Sequence, residues 1–297
     1  VIRRALDPAD EGWQSALGDP RAALGVDAPG ATLDDPRGLT VVATDDDRAR
    51  WLVRRRPVWL DGKVATFGEV LPLEGPVSTI APEDPRDEDA VLWALTTAQQ
   101  WERLELGLGF ELVRTPLQLV AHPDEVRSRG AASHEVREEE ACPPDVDALF
   151  QRMTGDCGAL LVRDRKGIDA RFPRTAGYRL VTARRAGALV GMAIFRRGML
   201  DGVADQGLVV EWLVPVAEPE AGSALRTALA QHARAAGIER LCALLPDWTE
   251  AWMRFQHDGF HAEPTRYVLC ARHRQRRHDA FWLFKRWYTT LADGSLA

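Results

Sequence analysis

Glu211 is the residue whose type and setting most directly suggest chemistry. It interrupts the apolar run of residues 208–214 and would project from a strand on the same face as Val209 and Leu213. An apolar setting disfavours the charged carboxylate and lifts its pKa toward the range useful for proton transfer. The same carboxylate could equally form an ion pair with one of the many arginines. The four cysteines, Cys142, Cys157, Cys242 and Cys270, lie far apart with no CxxC or Cys/His spacing. That pattern predicts buried thiols in a reducing compartment and no metal site. A basic run, residues 272–278, precedes Phe281, Trp282, Phe284, Trp287 and Tyr288. It could hold RNA, a phosphate or an anionic carrier protein. Alternatively, the charges are solvated and the aromatics pack a C-terminal segment onto its domain. Arg54, Arg55 and Arg56 read as an edge-strand device.

The bulk numbers fit a globular protein of two domains: 297 residues, 45% hydrophobic and 28% charged. A net charge of −6 argues against a broad nucleic-acid surface. No stretch approaches the roughly 18 apolar residues of a membrane span, and no basic segment precedes an apolar run at the start. These features predict a cytoplasmic protein without a signal peptide.

Elements that must position Glu211 can be read from periodicity. In the first half, a short helix is expected at residues 8–17 and a strand at 39–44. A hairpin at 51–60 and 63–71 turns on Asp61-Gly62. After a loop at 72–90, Val91, Ala94, Leu95, Ala98, Trp101 and Leu104 recur at helical spacing, which predicts a helix over 87–106 with Asp87 as N-cap. Short strands follow at 110–114 and 117–121, and Pro116 argues against a central place for them. Residues 122–144, with Glu138-Glu139-Glu140, read as a solvated linker, giving domains of 1–135 and 136–297. The second half predicts a helix at 144–153, a hairpin of 178–183 and 188–196, and a strand at 208–214. A helix at 221–236, a strand at 240–245, a helix at 249–257 and a strand at 265–271 follow.

That order, with the sequences at its joints, resembles the GNAT superfamily over about residues 172–272. The segments are YRLVTARRAGALVGMAIFRR, VVEWLVP, GSALRTALAQHARAAGIERL and DWTEAWMRFQHDGF. The first half, through VWLDGKVATFGEVLPL and GFELV, resembles a second, eroded copy. The tail RWYTTLADGSLA is similar to the ending of certain bacterial GNAT proteins, with Ala292 where those have glycine. The implied fold is a mixed α/β acyltransferase fold in tandem.

The resemblance also implies a site. The strand backbone at Trp212, Leu213 and Val214 would align an acyl thioester, acetyl-CoA or another acyl donor. Gly222, Ser223 and Ala224 would meet its phosphates at a helix N-terminus, where backbone N–H groups favour anions. Glu218 and Glu220 occupy the same turn, and like charges there cost on the order of 1 to several kcal/mol; they could also be ordinary first-turn residues. A thioester on an acyl carrier protein, with a single phosphate, would suit such a turn better. The tyrosine that protonates the departing thiolate in the family is replaced by Phe255, with His257 nearby either as a substitute or as an exposed histidine. Glu211 would be the base toward a small-molecule or peptide amine. The implied activity is N-acyl transfer. The alternatives are a non-catalytic GNAT-like binding or assembly protein and tRNA-dependent aminoacyl transfer.

Overall fold

The computed structural model describes residues 3–5, 39–43, 49–72, 89–127, 134–172, 174–273 and 276–294. The helix expected at 8–17 lies outside them. The chain divides into two compact units, Val1–Thr115 with Arg266–Arg286, and Pro116–Thr265 with Trp287–Ala297. This division does not follow the expected boundary at 135/136: the polar stretch there holds a strand, and the change of unit comes at Thr115-Pro116.

The first unit opens with β1 (Arg3–Ala5), β2 (Leu39–Ala43), β3 (Ala49–Leu60), β4 (Lys63–Pro72), β5 (Asp89–Thr97), α1 (Ala98–Leu108) and β6 (Glu111–Arg114). The second contains β7 (Leu117–Ala121), β8 (Glu135–Glu139), α2 (Val146–Met153), β9 (Ala159–Leu161), α3 (Arg165–Arg171), β10 (Arg179–Arg185) and β11 (Ala188–Leu200). It continues with β12 (Val203–Leu213), α4 (Pro219–Ala235), β13 (Leu241–Leu244), α5 (Glu250–His257) and β14 (His261–Pro264). The chain then supplies β15 (Tyr267–His273) and α6 (Ala280–Arg286) to the first unit and β16 (Trp287–Tyr288) to the second.

Strands of the first unit run in the order β1-β2-β3-β4-β5-β15-β6, and those of the second in the order β8-β10-β11-β12-β13-β7-β14. Each order has one parallel step, β4 to β5 and β12 to β13. In each, the strand after that step, β15 or β7, is antiparallel to both neighbours. The two mixed sheets therefore share strand order and sense.

Local sequence accounts for the turns and caps. The β3–β4, β10–β11 and β11–β12 hairpins turn on Asp61-Gly62, Ala186-Gly187 and Asp201-Gly202, each pair at positive φ, as tight two-residue turns require. The third was not expected. Thr249 caps α5, accepting from the Trp252 N–H.

Several expectations are corrected. Residues 87–106 are not one helix: β5 occupies the first part, and α1 begins after Thr97, which forms a capping box with Gln100. The run DAVLWALTT is almost continuously apolar, with Val91, Trp93 and Ala94 buried, and a short buried strand fits such a run as well as a helical face does. The acidic residues at 135–139 are β8, an edge strand on β10, where Glu138 pairs with Arg179 at 3.2 Å. Pro116 precedes β7 rather than lying in it, so β7 can be an interior strand. Arg54 and Arg56 lie on the interior strand β3 and both reach the buried Glu69, at 2.6 and 3.0 Å. The strand after α5 is β14, and β15 enters the first unit's sheet.

Among the described residues, no helix is long and apolar enough to cross a membrane. Gly259, after α5, sits at φ +107°, and a Cβ there would lie 2.5 Å from the Glu125 carbonyl oxygen. Gly259→Ala is therefore expected to lose about 2–3 kcal/mol of stability from strain and backbone displacement, measurable by urea unfolding.

Candidate active site

The site is built where β12 leaves β13. The two strands pair through Gly207–Leu241, Leu208–Cys242 and Val209–Ala243, yet β12 runs on to Leu213. Against β11, Ile194 opposes Glu211 and Phe195 opposes Val209, so Val210 is the extra residue of a β-bulge. Bulges bend a strand and increase its twist. Past the last pair lies a cavity of about 290 Å³, and all of its lining residues belong to the second unit.

Trp212 and Val214 bring the strand end to this cavity, and Gly222 and Arg226 line it from α4. A Cβ on Gly222 would come within 3.2 Å of Arg226 Nη1, 3.4 Å of Trp212 Cζ2 and 3.5 Å of Val214 Cγ1. The glycine thus keeps this wall thin. Buried Arg226 donates through Nε and Nη2 to Asp258 Oδ2 at 2.8 and 2.6 Å, and its guanidinium lies over the rings of Phe255 and Trp212. Burial pulls the Arg226 pKa down, against the opposing charge of Asp258. Phe255 packs edge-on against Trp212 and Phe260, with centroids 4.8 Å away in each case. It is a core residue.

Three backbone donors of the turn between β12 and α4 are engaged within the protein. The Val216 N–H donates to Asp156 Oδ2 at 2.8 Å, the Glu218 N–H to the Pro215 carbonyl at 2.9 Å, and the Gly222 N–H to the Glu218 carbonyl at 3.3 Å. The Glu218 carboxylate pairs with Arg185 at 2.7 Å. A protein carboxylate, Asp156, thus occupies one N–H that an anion would need. Asp156 is exposed, lines the cavity, and has no ion-pair partner among the described residues.

A buried polar cluster backs the strand. Arg163 Nε donates to Glu211 Oε2 and Arg163 Nη2 to Asp293 Oδ1, both at 2.5 Å, with all three side chains at most 1% exposed. Glu211 Oε1 accepts the Trp212 N–H at 3.0 Å, and the Tyr288 hydroxyl donates to the Trp212 carbonyl at 2.8 Å. Burial raises the Glu211 pKa and Asp293 adds to the rise, while Arg163 pulls the other way. Burial works against the Arg163 charge, but Asp293 and Glu211 outweigh it and hold its pKa above the ordinary value. Burial also raises Tyr288, with the Glu211 charge behind it. Cys157, another lining residue, has its thiol pushed up to about 12 by burial and remains protonated at neutral pH.

No protein-family profile matches the chain, and no curated protein matches it. Its likeness to solved structures is clear. A GCN5-related N-acetyltransferase from Anabaena variabilis aligns at a TM-score of 0.62 and 13% identity, over 91% of this chain and 72% of that one. A conserved protein from Enterococcus faecalis V583, described as a probable N-acyltransferase, gives 0.57 and 11% over 92% and 72%. A GCN5-related N-acetyltransferase from Kribbella flavida gives 0.55 and 16% over 92% and 72%. The chain has the GNAT fold. At these identities the likeness is one of fold.

Within that GNAT fold, three of the sequence-predicted residues meet at the cavity: Trp212, Val214 and Gly222. Leu213 pairs with Met192 in the sheet, Ser223 donates through Oγ to Asp258 Oδ2 at 3.4 Å, and Ala224 is buried; none of the three lines the cavity. Glu211 does not line it either, and of its two expected roles the structure shows the ion pair. His257 is exposed at the end of α5, its Nδ1 3.4 Å from Asp258 Oδ1, and stands outside the cavity lining. Sequence reasoning missed Arg163, one arginine among many, and Asp156 in an unpatterned turn. Arg226 sat on the helix without a motif. Tyr288 was read among the aromatics that follow the basic run, and it and Asp293 lay in the tail that resembles GNAT endings.

Proposed function

We propose that this chain is an acyltransferase that moves an acyl group from a thioester donor to an amine. What carries this reading is the open cavity at the parting of β12 and β13 within a GNAT fold. Its volume of about 290 Å³ is at the lower edge of the roughly 300–1,000 Å³ of small-molecule sites. That space suits a slender pantetheine arm with a short acyl group, not a whole nucleotide. Acyl-CoA and a carrier-protein thioester with one phosphate are both candidates; Asp156 and two carbonyls already take N–H groups of the turn that a diphosphate would need, so the single phosphate fits the turn better.

On the acceptor side, the Asp156 carboxylate at the cavity, with no ion-pair partner among the described residues, attracts an ammonium group and takes a proton from it. The amine nitrogen then bonds the acyl carbon as the C–S bond breaks, and the second proton that the nitrogen sheds on becoming an amide passes to water at the open cavity. Arg226, a buried cation on the wall, offsets the negative charge left on sulfur, since Phe255 has no proton to give. Glu211, held by Arg163, is not the base in this scheme, and His257 has no part in it.

Calorimetry with acetyl-CoA and with a 4′-phosphopantetheine thioester, up to millimolar, tests the donor. With an amine acceptor found by screening, Asp156→Asn is expected to lower kcat at least tenfold and to leave donor affinity unchanged. Absence of heat from both donors would sink the transferase. It would leave a non-catalytic binding protein, the second reading, which Phe255 and the engaged donors of the turn favour.

A further inference from the structure

Resting on the function proposed above, we infer that residues 287–293 brace the cavity wall, which they join through Tyr288. Asp293 and Tyr288 are positioning residues that hold the backbone on both sides of the Trp212 Cα. Both backbone polar groups of Trp212, in the two peptide units that flank its Cα, are taken by side chains. Its N–H donates to Glu211, and its carbonyl accepts from Tyr288. Glu211 is fixed by Arg163, and Arg163 is fixed in turn by Asp293 and by the Leu161 carbonyl, at 2.8 Å. Asp293 is itself set by the Thr290 N–H at 2.7 Å. The loop closes through the backbone: β16 pairs in parallel with β9, Trp287 beside Ala159 and Tyr288 beside Leu160.

A cluster kept only for stability could be replaced by apolar side chains of similar volume, often with a gain. Here two carboxylates and a guanidinium are buried together, and what they fix is the backbone of Trp212, a residue that lines the cavity. Satisfied polar networks of this kind specify geometry more than they add stability. The groups facing Glu211 are Arg163, Asp293, Arg171 and Tyr288.

Tyr288→Phe and Asp293→Asn preserve shape. Each is expected to weaken acetyl-CoA binding at least tenfold by calorimetry, with near-UV circular dichroism unchanged. The double variant should bind no more weakly than the worse single, because both act through the backbone of one residue, Trp212. Asp293→Asn should also move the acid limb of the binding profile to lower pH, since Asp293 is one of the charges that raise Glu211; lost packing alone would not shift it. Wild-type affinity in both variants, or losses that add, overturns the assignment and leaves the donor site standing. If the unaltered protein binds no acyl donor, the proposed function falls, and the same cycle in thermal unfolding decides the clamp. Coupling between positions 288 and 293 keeps it, and additivity removes it.

Discussion

Arg163→Met should lose about 3–5 kcal/mol of unfolding free energy at neutral pH, the usual penalty when one partner of a buried ion cluster is removed. Methionine fills much of the space but leaves Glu211 and Asp293 facing each other without a counter-charge, both of them at most 1% exposed. The loss should depend on pH in a definite direction. Burial already raises the Glu211 pKa above its unfolded value, and removing Arg163 raises it further. A carboxylate raised in the folded state contributes fully below its unfolded pKa of about 4.3, and that contribution disappears as pH rises through the folded value. The gap between variant and wild type should therefore narrow on acidification. Urea unfolding at pH 7 and near pH 5 measures it. A loss below about 1 kcal/mol at pH 7, or a gap that widens in acid, would mean that Arg163 is not the counter-ion of this cluster.

Gly222→Leu should reduce acyl-donor affinity at least a hundredfold. The added methyls must go toward Trp212 Cζ2, Val214 Cγ1 and Arg226 Nη1, the atoms closest to the missing Cβ, and all three residues line the cavity. Overpacking would cost about 1–3 kcal/mol of stability, so binding should be compared at a temperature where the variant is fully folded. Gly222→Ala is the graded control. A single Cβ at 3.2 Å from a flexible guanidinium nitrogen asks for a shift of a few tenths of an ångström, and its binding should fall only several-fold. Equal affinity in wild type and Gly222→Leu would show that the donor lies elsewhere.

Much of the fold was legible where a local rule had no competitor. Asp61-Gly62 and Ala186-Gly187 demanded tight turns, Thr249 a helix start, and the apolar run around Glu211 a covered strand. The reading failed where two local rules fitted equally. Val91, Ala94, Leu95 and Ala98 match a helical face, but the first three lie in β5, whose buried side chains need no alternation. It also failed where the answer is not local. Nothing around Leu117 or Tyr267 tells which sheet will take each strand, since strand partners are chosen by long-range packing. For the site, the strand end and Gly222 were found from the order of elements. The partner of Glu211 was foreseen as an arginine but could not be picked from 38 basic residues, because Arg163 lies 48 positions away and is joined to it only by the fold.

The placement of β7 and β15 bears on how the protein is made. As the ribosome releases residues 89–114, the edges of β5 and β6 must wait for a strand that is translated only after the other unit's main run. Until then they are open templates for wrong pairing, the condition in which nascent chains aggregate. The same wiring means that no single cut in the gene yields two clean halves: a cut after Thr115 leaves the first fragment without β15 and α6, which travel with the second.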